Sequence, residues 1–176
     1  MGQYLSVYLV GEVSIRINKD IELTDENVYQ ALLDNGFKLD LSLYEIYESD
    51  SGAYLELKEE VLKEQLVPFM KAFYDYIYDD PGENIQGIFD YIEENETMEW
   101  DDLKERIQNT GTMEECCILP YYNPWRGISA EGISLLCSEK IITEGWTRIK
   151  FLFTKCLRDH FSEYPLSKVL RLDLLC

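Results

Sequence analysis

With 176 residues, 46% of them apolar, the chain is long enough to bury a core and too apolar to stay disordered. Its formal net charge of −18, from 34 acidic and 16 basic side chains, disfavours nucleic acid and anionic membrane as direct partners. No window approaches roughly 18 uninterrupted apolar residues, and no basic stretch leads into an apolar run near Met1, so a cytoplasmic location is expected.

The first segment alternates. Leu5, Val7 and Leu9 share one parity, and Val13, Ile15 and Ile17 continue the pattern beyond Gly11. This predicts a long strand bent at Gly11, or a hairpin around Gly11-Glu12. Thr24 is placed to cap a short helix running to Leu33 and ending at Asn35-Gly36. Phe37, Leu39, Leu41 and Leu43 alternate again and lead into Tyr44 and Ile46, a second strand. Ser49-Asp50-Ser51-Gly52 is a turn signal, and 53–58 returns as a third strand.

A helical pattern starts near Glu59. Pro68 interrupts it, as a kink or as the first residue of a new helix, and Phe69, Phe73, Tyr74 and Ile77 give it a broad apolar face. Asp79-Asp80-Pro81-Gly82 closes it. Two short amphipathic helices follow. Ile85, Ile88, Phe89 and Ile92 stripe the first, and Trp100, Leu103 and Ile107 stripe the second, with Thr97 as its expected cap. The last third reads as a strand over 116–122, a turn at Asn123-Pro124-Trp125-Arg126-Gly127, and strand over 128–137 with its register broken near Gly132. A helix over 143–161 and a final strand over 169–175, pairing back onto the first sheet, complete it. Segregated runs of this kind predict an α+β fold with a mixed or antiparallel sheet, one domain over 1–176, and 80–112 as an acidic helical insertion or flank.

The charge is unevenly placed. Residues 1–100 carry 23 acidic and 6 basic side chains, residues 101–176 carry 11 and 10, and no basic residue lies between Lys71 and Lys104. Asp75, Asp79, Asp80, Glu83, Asp90, Glu93, Glu94, Glu96, Asp101, Asp102 and Glu105 populate this region and its end; Asp90, Glu93 and Glu94 fall on the outer face of the first predicted helix, and Asp101, Asp102 and Glu105 on that of the second. Such a face can simply be solvated. It can also imitate the phosphates of nucleic acid toward a basic partner.

Catalytic signals are sparse. The five cysteines include the adjacent Cys116-Cys117, whose side chains point apart in a strand, and no Cys-x-x-Cys occurs. They are expected to be reduced thiols. His160, the sole histidine, falls on the apolar side of its helix, as a core or boundary residue does. Cys156 lies four residues before it, without an orienting third group. GxGxxG, Walker, GxSxG, HExxH and EF-hand spacings are absent, so no cofactor or metal is expected. The turn residues Trp125 and Arg126 are of the types enriched at interface hot spots.

The sequence therefore points to a non-enzymatic, acidic inhibitor of a basic, nucleic-acid-binding protein. A phage or mobile-element inhibitor of a defence nuclease (an anti-CRISPR) and an immunity protein against a nuclease toxin both fit. The alternatives are an enzyme whose carboxylates and tyrosines are scattered in sequence, and an adaptor using the Trp125-Arg126 loop.

Overall fold

The computed structural model describes residues 4–77, 82–111, 116–136, 155–161 and 170–175. The fold is α+β: a six-stranded sheet, antiparallel in every described ladder, with packed helices. Its strands are β1 (Tyr4–Arg16), β2 (Tyr44–Ser49), β3 (Gly52–Leu57), β4 (Cys116–Asn123), β5 (Ile128–Leu136) and β6 (Leu170–Leu175). The order is β2-β3-β1-β5-β4, and β6 also pairs with β1.

β1 organises the sheet because it is long enough to serve three neighbours. β5 runs along one edge from Ser6 to Ile15. The other edge is shared end to end, by β6 over Tyr4–Leu9 and by β3 over Glu12–Arg16. Between them lies the bend expected from sequence, and it is a bulge, not a hairpin: Val10 faces Gly132, Glu12 faces Glu131, and Gly11 is the extra residue. The irregularity expected near Gly132 therefore belongs to β1, while β5 is continuous. A Cβ at Gly11 would lie 2.1 Å from the Trp100 ring, so only glycine lets that indole lie on the strand.

Among the described residues, no β6 or β3 residue pairs with Val10 or Gly11 at the bulge. The Tyr44 hydroxyl reaches this point, donating to the buried carbonyl of Val10 at 2.6 Å. Burial pushes the Tyr44 phenol well above its ordinary range, with Tyr8 and Asp40 adding to the effect.

The helices are α1 (Asp25–Asp34), α2 (Glu59–Val61), α3 (Val67–Ile77), α4 (Gly82–Glu94) and α5 (Trp100–Thr110). Thr24 caps α1 by accepting from the Asn27 amide. The alternating run from Phe37 does not extend the next strand. Phe37 and Leu39 are buried in an irregular segment, Leu41–Leu43 form a 3₁₀ turn capped by Asp40, and β2 begins only at Tyr44. A π-helical segment, Leu62–Leu66, joins α2 to α3 just before Pro68, so the chain absorbs the proline without leaving the helical path. At α5 the cap is Glu99, not Thr97. The Glu99 amide donates to Asp102, completing a capping box.

The expected stripes of α4 and α5 are buried, and Asp90, Glu93, Glu94, Asp101, Asp102 and Glu105 are exposed. Phe37 meets Tyr121 edge-on at 5.3 Å on one face of the sheet, and Trp100 lies on the other. The expected helix over 143–161 is described only over 155–161, where it is helical; Asp79, Asp80 and Cys137 lie outside the described residues. No helix among the described residues is long and apolar enough to cross a membrane.

Candidate functional site

The pairing register places chemistry that linear spacing hides. Glu45 faces Glu56, Glu56 faces Glu12, and Glu12 faces Glu131, so four strands each contribute one glutamate to a single row across the sheet. Two residues along each strand, a parallel row reads Tyr47, Tyr54, Ser14, Ser129 and Tyr122. Side chains directly opposite on neighbouring strands share a face about 4.5–5.5 Å apart at Cβ, and like charges in that relation are destabilising.

The Trp100 side of the sheet carries this face. Trp100 covers the strands at Gly11, and one turn later Lys104 reaches the row. Its ammonium lies 3.2 Å from Glu131, 3.6 Å from Glu12 and 2.8 Å from Asp101. Desolvation lowers the Lys104 pKa, but hydrogen bonds to Asp101 and Glu131 and the field of Glu12 outweigh it and hold the ammonium above its usual range.

Among the described residues no cation pairs with the other half of the row. The Tyr54 hydroxyl lies 3.1 Å from Glu56 and 3.2 Å from Glu12, and the Tyr47 hydroxyl donates to Glu45. Burial raises the Glu56 carboxyl. The Tyr54 hydrogen bond lowers it, but Asp101, Glu12 and Glu99 push it further up. Tyr54 is raised by burial and by Glu12 and Glu56. A cleft of about 210 Å³ opens here, lined by Glu45, Tyr47, Glu56, Lys58, Glu59 and Glu99 among others. The cationic end of Lys58 is turned to the Ser42 carbonyl, 2.9 Å away, and Glu59 accepts from the Met98 amide.

The acidic residues expected from sequence divide into groups. Asp101, at the start of α5, joins the row through Lys104. Asp102 caps α5, and Glu105 is exposed. On α4, Glu83 and Glu94 are exposed, Asp90 accepts from Gln86, and Glu93 pairs with Lys71. Asp75 and Glu96 are exposed elsewhere. The row itself is what the sequence reading missed. Its only trace there is the outward parity of Glu12, Glu45 and Glu56 in their strands, and parity cannot supply register.

Trp125 is not packed on the sheet: it is 96% exposed at the tip of the β4–β5 turn, and Tyr122 is 72% exposed beside it. The tip is held firmly. Arg126 donates to the Asp34 carbonyl, not to a carboxylate, and Gly127 adopts a positive φ of 62°. His160 is exposed, its ring 5.2 Å from that of Tyr76, whose phenol the neighbouring Cys156 and burial push above its ordinary range. Among the described residues Cys116, Cys117 and Cys156 are in no disulfide, and no group of three or more His, Cys, Asp or Glu is arranged to hold a metal ion.

No family model matches the chain, and no curated protein or solved structure matches it either.

Proposed function

We propose that the chain is a non-enzymatic binding protein that occupies the nucleic-acid-binding surface of a basic protein partner. The observation that carries the reading is the glutamate row, continued by Asp101 at the start of α5. Anionic groups repeated at strand spacing on a rigid sheet resemble a run of phosphates more closely than carboxylates on flexible loops. The net charge of −18 adds long-range attraction, which speeds encounter and fades with salt. An inhibitor of a nucleic-acid-guided defence nuclease and an immunity protein against a nuclease toxin both need this chemistry. A partner identified by capture from the native cell tests the reading. Once purified, it has to bind nucleic acid, lose that binding when this chain is added, and recover it when Glu45, Glu56, Asp101 and Asp102 are reversed to lysine. A partner that keeps its nucleic acid throughout contradicts the reading.

The adaptor reading is favoured by one specific observation, the almost fully exposed Trp125 on a turn that Arg126 ties to the Asp34 carbonyl. It differs in outcome: Trp125→Ala abolishes partner capture, and the four reversals leave it intact.

A further inference from the structure

We infer that the Glu45–Glu56 end of the row is a receptor for an arginine side chain of the partner, with the Tyr47 and Tyr54 rings as its platform. This rests on the reading above and narrows it from a basic partner to an arginine-presenting one.

The chain shows what the row accepts. At its β1–β5 half, an internal cation, Lys104, sits between Glu12 and Glu131. At its β2–β3 half the described residues supply no ion pair to Glu45 or Glu56, although the same two-strand juxtaposition of carboxylates recurs. Lys58, the nearest candidate in sequence, gives its ammonium to the Ser42 carbonyl. Among the described residues, the carboxylates are paired by Lys104 at one end and met at the other only by the Tyr47 and Tyr54 hydroxyls, beside an open cleft that Lys58 also lines.

The surroundings select among cations. The Tyr47 and Tyr54 rings lie 6.1 Å apart at 31°, and their hydroxyls are engaged by Glu45, Glu12 and Glu56, so the rings are fixed while Tyr47 stays 48% exposed. A guanidinium is planar, weakly hydrated and forked. It can lie on an aromatic face and still donate two parallel N–H groups to a carboxylate. An ammonium is a compact, strongly hydrated point charge and gains less from the rings. An acidic patch without aromatic rings has no comparable reason to separate the two.

Fluorescently labelled nona-arginine and nona-lysine peptides, titrated against the full chain at physiological ionic strength, test this. The expected result is an affinity for nona-arginine at least about fivefold above that for nona-lysine. Glu45→Gln with Glu56→Gln removes the preference, and Glu93→Gln with Glu94→Gln, an equal change of charge on α4, preserves it. Tyr47→Ala weakens nona-arginine selectively, and Tyr47→Phe, which keeps the ring, restores it. Equal affinities, or equal losses from the two charge-matched variants, overturn the arginine receptor and leave the wider acidic reading standing. Binding of neither peptide overturns both.

Discussion

The hydroxyl of Tyr44 and the carbonyl of Val10 lie 2.6 Å apart, between the stretches of β1 that pair with β6 and β3 among the described residues. Tyr44→Phe keeps the ring and removes the donor to a buried carbonyl. A loss of about 1–3 kcal/mol in denaturant unfolding is expected, with little change in the denaturant slope. Glu56 is the opposite case, a side chain whose charge opposes the fold. Its folded pKa is raised by burial and by Asp101, Glu12 and Glu99, so the folded state binds its proton more tightly than the unfolded state does. Its contribution to stability therefore falls as pH rises above the unfolded carboxyl value, about 4.3. Glu56→Gln is expected to raise the unfolding midpoint at pH 7 and to flatten the decline that sets in above the unfolded carboxyl value. A variant less stable than the parent at pH 7 contradicts this. Neither role was legible in the sequence. Tyr44 was recognisable as a strand residue, but its partner lies 34 positions away, and Glu56 looked like any solvent-facing strand glutamate.

At the level of elements, local pattern was a good guide where one face had to be buried. The stripes of α4 and α5, the Thr24 cap and the bend at Gly11 all follow from periodicity and residue type. It failed where tertiary packing competed with it. Phe37 to Leu43 alternate like a strand, yet Phe37 is drawn against Tyr121 and Asp40 caps a 3₁₀ turn, so the alternation belongs to a buried loop. Thr97 looked like a cap, but Met98 and Trp100 are both buried, and the helix starts at Glu99. The junction of α5 with the sheet gives the sharpest test of this level. A methyl group at Gly11 meets a buried indole at 2.1–2.3 Å, and the ring has nowhere to move without leaving the strand. Gly11→Ala is expected to destabilise the protein by about 1–3 kcal/mol or more and to shift Trp100 fluorescence. In a Trp100→Phe background, whose smaller ring reaches less far, the same change should cost less; equal costs in both backgrounds contradict the proposed contact.

For the whole molecule, the acidity legible in the sequence was that of the helices between Lys71 and Lys104. The structure adds a second acidic surface that no linear count reveals, because Glu12, Glu45, Glu56 and Glu131 come from four strands and meet only through register. The two surfaces meet at Asp101 and Lys104, so the start of α5 and the open half of the sheet form one anionic face. The basic side chains near α4 are already engaged: Lys71 with Glu93 and the Phe89 ring, and Arg106 with the Gly87 carbonyl and the Tyr91 ring. They tie α4 to its neighbours, and among the described residues Glu83, Asp90, Glu94 and Glu105 make no ion pair. The central claim is that this face stands in for nucleic acid. Competition between the chain and nucleic acid for the captured partner, measured at several salt concentrations, tests it most directly. The account predicts mutually exclusive binding, weakening steeply as salt rises and lost when Glu45, Glu56, Asp101 and Asp102 become lysine. A ternary complex in which chain, partner and nucleic acid bind together with undiminished affinity would contradict it.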